Sequence, residues 1–375
     1  MKNIITVLAI LFFAYPGNAQ TVNGTIQHDG GTRNYRVHLP SGYDPAESYP
    51  FVYNLHGYTS NASEQEFYTQ MNSTSDANGF IVCHPDGLQN SWNVGFAGTS
   101  GADDVDFLVT LIDSLAEMYS IDRDRLYSTG MSNGGFMSYK LACEASDVFA
   151  AVASVTGSMV PTAPAQCNPD RILPVMQIHG TADATVQYDG TPFVSIPIDD
   201  LIDFWTDKNE CEGEPTIIDI ENIDTGDNST AQRIEYTDCT DGNEVIFYKI
   251  ENGGHTWPDA IIDLPTLVTN RDFNANEVIW EFFNRYDING LITTSTENIT
   301  QVNNLEAFPN PVTNTLTVKN LPTDTDRILL IDAFGKTLKS LSTDTEIDVT
   351  DLPKGVYYLR TEGKATRGLV KFVKS

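Results

Sequence analysis

Between about residues 34 and 286, short apolar runs alternate with stretches whose apolar residues recur at helical spacing. Tyr35 to Leu39 alternates like an early strand, and Pro50 to Leu55 reads as a strand ending at His56-Gly57. Phe80 to Cys83 is a third, followed by Pro85-Asp86-Gly87. Arg125 to Thr129, Phe149 to Val155 and Leu173 to Ile178 continue the strand series. Phe107 to Tyr119 sets Phe107, Leu108, Leu111, Ile112 and Leu115 on one helical face. Phe136 to Ala142, Ile198 to Trp205 and Glu277 to Tyr286 also read as helices. Strands that are apolar throughout need cover on both faces. The alternation therefore predicts an α/β fold, a mostly parallel sheet with helices on both faces.

In such sheets the functional residues gather at the C-terminal ends of the strands. Four segments end in a polar, glycine-bearing turn: His56-Gly57, Gly130-Met131-Ser132, His179-Gly180-Thr181-Ala182-Asp183 and Gly253-Gly254-His255. Gly130-Met131-Ser132-Asn133-Gly134 matches the nucleophile elbow of an α/β-hydrolase, with a strand before it and a helix after it. The chemistry needs a serine hydroxyl held exposed on a sharp turn, and the glycines let the backbone pass close by. A plain glycine-rich turn is the bland alternative.

The order expected of the fold is Ser, then Asp or Glu, then His. Of six histidines only His179 and His255 follow Ser132. His255 falls where the loop carrying the base belongs, so it is the expected base. Asp183 lies four residues past His179 and is the expected acid; Asp189, Asp199 and Asp200 are rivals that read better as solvated charges. The oxyanion donors are expected to be the backbone N–H groups of Asn133 and Tyr58, and His56 reads as a structural hydrogen-bonding group. Trp92 and Trp257 are candidates for the substrate pocket wall, with core packing as the alternative. Asp103, Asp104 and Asp106 raise a calcium question, but their spacing fits no EF-hand loop and favours capping or solvation. No zinc-spaced Cys/His set and no phosphate loop occurs, so neither a metal nor a cofactor is expected.

Lys2 followed by the apolar run Ile4 to Ala14 reads as an export signal, residues 1–19, cut after Ala19. The run is too short to span a bilayer, and no membrane span is expected in the mature protein. Export permits disulfides. Five cysteines leave at least one unpaired, and spacing alone allows about 15 arrangements. Cys83 sits in an apolar strand and is taken as free; local pairing then favours Cys143 with Cys167 and Cys211 with Cys239. The net charge of −29 argues against nucleic acid and anionic lipid as partners. That charge is uneven: residues 305–375 hold 10 of the 22 Lys/Arg but only 9 of the 51 Asp/Glu. Residues 289–304, rich in Thr and Asn, suit a linker between a domain at 20–288 and a small all-β sandwich domain at 305–375.

At these residues the chain resembles a known family. Leu55-His56-Gly57, His84-Pro85-Asp86-Gly87, Ser91-Trp92-Asn93, Asp103-Asp104-Val105, the Gly130 to Gly135 run, His179 to Asp183 and Gly254-His255-Thr256-Trp257-Pro258 look like the polyhydroxybutyrate-depolymerase-like and feruloyl-esterase group, which includes carbohydrate esterase family one. The likeness covers about residues 25–287. It implies a Ser132, Asp183, His255 triad, similar disulfides, and action on feruloyl or acetyl esters of plant xylan or on short-chain polyhydroxyalkanoates. Phe308-Pro309-Asn310-Pro311-Val312, Asp332 to Lys336 and Leu352 to Tyr358 resemble the C-terminal sorting domain of type IX secretion. That implies the type IX machinery as a partner and a secreted, extracellular or surface location. A small carbohydrate- or polymer-binding module is the alternative for the tail.

The expected function is thus a secreted serine carboxylic ester hydrolase, most simply a feruloyl or acetyl-xylan esterase. An extracellular polyester depolymerase is the runner-up. A peptidase on this fold would need a large lid or propeller for which the chain has no room, and a non-catalytic polysaccharide-binding protein is the option of another class.

Overall fold

The computed structural model describes residues 19–264, 266–292, 300–301, 305–322, 325–332, 337–343, 346–363 and 366–375. The expected signal peptide (but for Ala19), much of the expected linker, and residues 333–336 of the tail motif lie outside them. The chain divides into two compact units, Met1–Ile292 and Thr293–Ser375.

The first unit is built on strands β1 (Gln20–His28), β2 (Gly31–Leu39), β3 (Tyr49–Leu55), β4 (Ile81–Pro85), β5 (Ile121–Met131), β6 (Ala151–Val155), β7 (Val175–Gly180), β8 (Thr216–Asp219), β9 (Thr230–Tyr236) and β10 (Val245–Glu251). Its helices are α1 (Ala62–Thr69), α2 (Met71–Asn78), α3 (Asp104–Ala116), α4 (Asn133–Glu144), α5 (Ile198–Lys208) and α6 (Ala275–Phe283). All ten strands form one sheet in the order β1-β2-β4-β3-β5-β6-β7-β10-β9-β8. The six from β4 to β10 run parallel; β2 and β9 join them antiparallel, and β1 and β8 extend those edges antiparallel.

The two-residue period of a strand divides the core between the faces. On β3, Phe51, Tyr53 and Leu55 pack with Phe107 and Leu111 of α3 and Phe136 of α4. Val52 points the other way, into a cluster with Met71 of α2 and Ile279 and Trp280 of α6. On β4, Ile81 and Cys83 join the first cluster and Val82 the second. Helices thus cover both faces, and the architecture is that of an α/β-hydrolase.

The acidic cluster before α3 resolves into separate jobs. Asp103 caps the helix by accepting from Asp106 N at 3.1 Å. Asp104 is fully buried, where a solvated or capping role had been expected. It pairs with the equally buried Arg33 at 2.7 Å and accepts from Asn93 N at 2.8 Å. Arg33 also lies over the Phe107 ring at 3.7 Å. The sequence could not disclose this, because the partner is 71 residues away.

Cys143 is joined to Cys167 and Cys211 to Cys239. The first bridge ties the end of α4 to the loop beyond β6. Cys83 is free and buried, and burial pushes its thiol well above the usual range. Tyr286–Asp287 pairs with Gly290–Leu291 in a short hairpin, with Gly290 at φ 113°. Residues 289–292, expected to begin the linker, thus belong to the first unit.

The second unit has a five-stranded sheet, Thr300–Gln301, Thr366–Lys374, Gly355–Gly363, Thr325–Asp332 and Thr337–Leu341 in spatial order. A three-stranded sheet is formed by Glu306–Phe308, Thr315–Lys319 and Glu346–Asp348. Leu316 and Ile347 of the smaller sheet share one core with Ile328, Leu359 and Phe372 of the larger.

Besides His38 on β2, three histidines are buried at the ends of parallel strands: His56, His84 and His179. Burial lowers the pKa of each, that of His84 from 6.5 to about 4.

Two predictions follow from this packing. Asp104→Ala leaves Arg33 buried without its partner and should cost about 3–5 kcal/mol in urea unfolding; a loss below about 1 kcal/mol would contradict a buried pair. The buried histidines set an acid limit. Unfolding lets each take up a proton that the folded state refuses, so stability should hold above pH 6.5 and fall between pH 6.5 and about 4. Urea titrations across that interval should show a shallower fall for His84→Gln than for the parent chain.

Candidate active site

Ser132 stands between β5 and α4 with φ 55° and ψ −120°, a conformation that costs a non-glycine residue energy. The turn is held by Ser132 N donating to Val155 O at 2.8 Å and by Phe136 N donating to Ser132 O at 3.0 Å. Two neighbours must be glycine. A Cβ on Gly130 would lie 2.7 Å from Leu55 O, and one on Gly134 only 2.2 Å from the same oxygen. The loop after β3 reaches the turn as well, since a Cβ on Gly57 would sit 3.5 Å from Ser132 Cβ. Among the described residues, no acceptor takes the N–H of Tyr58 or of Asn133. Both therefore keep a free donor, Tyr58 in the loop after β3 and Asn133 at the first position of α4.

The Asn133 side chain locks this arrangement. Its Oδ1 accepts from Trp92 N at 2.6 Å and its Nδ2 donates to Trp92 O at 3.1 Å. Trp92 Nε1 donates to His56 O at 3.0 Å. His56 in turn bridges Gly57 O at 2.7 Å and Gly87 N at 2.9 Å. Trp92 is fully buried and does not wall a substrate pocket, contrary to expectation. Trp257 needs the same correction. It is 1% exposed, packs in the core with α6, and donates from Nε1 to Asn276 Oδ1 at 3.1 Å. In both cases the indole N–H finds a partner inside the fold, which makes full burial tolerable.

Asp183 follows β7, and His255 follows β10, the next strand in the sheet. His255 Nδ1 lies 2.7 Å from Asp183 Oδ2. The other carboxylate oxygen accepts from Thr185 N at 2.8 Å and Val186 N at 2.9 Å. An acceptor carboxylate places the proton on Nδ1 and leaves His255 Nε2 as the basic nitrogen. The rival acids Asp189, Asp199 and Asp200 make no hydrogen bond to this imidazole; Asp199 accepts from Tyr188 OH instead.

A second imidazole touches the same acid. His179 Nε2 lies 3.4 Å from Asp183 Oδ2 and donates to Val186 O at 2.8 Å. Its Nδ1 accepts from Gln177 Nε2 at 2.9 Å, and Gln177 Oε1 accepts from Tyr139 OH at 2.6 Å. His179 was visible in sequence only as a failed base. Its place is beneath the acid.

Ser132 and His255 line one cleft of about 390 Å³. Phe67 and Tyr68 of α1 form one wall, and Ile262 and Leu264 of the loop after His255 form another. Tyr58 and Phe67 are exposed at its rim. Sequence reasoning missed these wall residues; the Phe67-Tyr68 pair in an otherwise polar segment was the one signal available. Among the described residues, no group of three or more His, Cys, Asp or Glu side chains could hold a metal ion, and no helix is long and apolar enough to cross a membrane.

The chain is 31% identical to "Putative esterase NocK" of Nocardia uniformis subsp. tsuyamanensis, over 68% of this chain and 79% of that protein. It is 30% identical to feruloyl esterase B of Piromyces equi, over 61% of this chain and 43% of that one. It is 24% identical to the bifunctional acetylxylan esterase/xylanase XynS20E of Neocallimastix patriciarum, over 74% and 36%. The chain thus spans less than half the length of the last two. Residues 306–375 match the family model of the secretion system C-terminal sorting domain, which places the chain on an export route to the cell surface or beyond. Residues 27–259, more than half of the chain, match the model of the family described as "Putative esterase", and the chain belongs to that esterase family.

Proposed function

We propose that the chain is an exported serine carboxylic ester hydrolase that works through an acyl-enzyme at Ser132. The observation that carries this is the buried Asp183 held 2.7 Å from His255 Nδ1, with His255 and a strained Ser132 in one cleft. His255 Nε2 takes the Ser132 proton as Oγ attacks the ester carbonyl. The N–H groups of Asn133 and Tyr58 receive the oxyanion. The alcohol leaves with the proton from His255, and His255 then deprotonates the water that frees the acid. Asp183 fixes the imidazole and stabilises its cation, and His179 positions Asp183 by holding Val186 O.

The preferred substrate is a feruloyl ester on plant polysaccharide. A cleft of about 390 Å³ falls in the roughly 300–1,000 Å³ range of small-molecule sites. Its aromatic and aliphatic walls suit the flat ring of a cinnamic acid better than an acetyl group. The relative named feruloyl esterase B points the same way, and the one named acetylxylan esterase/xylanase supports a polysaccharide ester in general. The tail is read as a type IX address, with that machinery as partner. One observation favours a second reading, extracellular polyester depolymerisation: Tyr58, Phe67, Ile261 and Ile262 expose apolar surface together.

Hydrolysis of methyl ferulate, p-nitrophenyl acetate and a polyhydroxybutyrate suspension tests both. Ser132→Ala should lose roughly a thousandfold or more in kcat, and Asp183→Asn about 10⁴-fold. Equal rates in parent and Ser132→Ala would remove the nucleophile. Faster release from the suspension than from methyl ferulate would put the polyester reading first. His179→Ala should lower kcat by up to about 10²-fold with little change in KM, because it shifts the acid and not the substrate; an unchanged kcat would deny His179 its positioning role.

A further inference from the structure

Phe67 is shared by two hollows. On one side it walls the cleft of Ser132; on the other it borders a hollow of about 370 Å³ with Ser63, Gln70, Asn72 and the Arg36–Glu66 pair. Arg36 and Ser63 also border a third hollow, of about 450 Å³, with Asn23, Asn34 and Asn61. The three run end to end from Ser132, across α1, to the β1–β2 edge of the sheet.

The character of the surface changes along this path. The Ser132 cleft is mostly apolar, and Phe67 offers an exposed ring, 56% accessible, at its outer end. Beyond Phe67 the walls are chiefly amides and hydroxyls, held in place by one another. Arg36 Nε binds Glu66, and Arg36 NH1 donates to Asn23 Oδ1 at 2.7 Å. Asn72 Nδ2 donates to Glu66 Oε1 at 2.7 Å, and Gln70 Nε2 donates to Phe67 O at 2.6 Å. Asp86, the remaining charge in the third hollow, is taken up by Ala62 N at 2.7 Å and Asn34 Nδ2 at 3.5 Å. Hydrogen-bonding capacity is left over. Among the described residues, nothing pairs with Asn23 Nδ2, Asn61 Nδ2, Gln70 Oε1 or the Ser63 hydroxyl.

Fixed planar amides beside one exposed aromatic face are what a sugar chain recognises. The ring takes the C–H face of a sugar, and the amides and hydroxyls meet its hydroxyls without costly reordering. We infer that this path is a subsite for an uncharged polysaccharide backbone, with the ester in the Ser132 cleft and the neighbouring sugars running over Phe67 and α1. This rests on the ester hydrolase reading and adds the alcohol side of the substrate to it. A polyanionic chain is disfavoured by the net charge of −29. A polyester chain finds apolar surface at the cleft but not along the path beyond Phe67.

The test uses the full chain and two variants that block the path away from the reacting groups, Ser63→Trp and Asn23→Trp; both native residues are exposed. With a feruloylated arabinoxylan oligosaccharide, each block should lower kcat/KM about tenfold, mainly through KM. With methyl ferulate, kcat/KM should stay within twofold of the parent. Equal effects on both esters, or no effect of either block on the oligosaccharide, would overturn the subsite while leaving the esterase reading intact. Calorimetric titration of Ser132→Ala with an unesterified xylan oligosaccharide separates binding from chemistry. Heat that disappears on adding Ser63→Trp supports the subsite even in a chain that cleaves no tested ester. No heat, or stronger binding of polygalacturonate, sinks it.

Discussion

Everything at the cleft depends on how closely the turn after β5 can approach the end of β3. Leu55 O occupies the space that a side chain at Gly130 or Gly134 would need. Because neither position carries a side chain, α4 starts tight against the sheet and Ser132 is held in its strained conformation. The same approach brings Gly57 against Ser132. The strain is local, and the parallel pairing of β3, β5 and β6 over-determines it.

Much of this was legible in sequence because it is written in local chemistry. Glycines at fixed offsets from a serine, and apolar runs of strand length, are sequence-near signals. The wall residues were not legible, for a different reason. Helices α1 and α2 carry few apolar residues, so their periodicity gave no warning that Phe67 and Tyr68 face the cleft. Trp92 and Trp257 misled in the opposite direction. Trp257 lies two residues after the expected base, which suggested a pocket wall, whereas each indole N–H found its partner in the core. Contacts closed over long separations, such as Arg33 with Asp104, leave no trace in either segment alone.

The Asn133 side chain shows how one residue couples scaffold and site. Its backbone N–H stays free beside Ser132, while its side chain holds both polar groups of the Trp92 backbone. Through Trp92 and His56 that hold extends to the loops after β3 and β4. A change at position 133 would therefore disturb the positions of Tyr58 and Gly57 even if the residue 133 N–H kept its direction. A substitution there changes the scaffold as well as residue 133 itself, whereas the Tyr58 side chain is exposed and takes no part in these bonds.

Two imidazoles meet one carboxylate at Asp183, and access sets them apart. His179 is fully buried, donates from Nε2 to Val186 O, and has its remaining lone pair taken by Gln177. Burial also holds it neutral, since a second charge in that space would lack solvation. His255 keeps 12% of its side chain accessible, lines the cleft and spends only Nδ1 on the acid. The carboxylate itself would be expensive to bury alone. Two backbone N–H groups and the His255 N–H supply its hydrogen bonds, and when His255 gains a proton the buried anion finds its countercharge 2.7 Å away. The stabilisation of the imidazolium is therefore assembled before any substrate arrives, and it acts on one histidine and not on its neighbour.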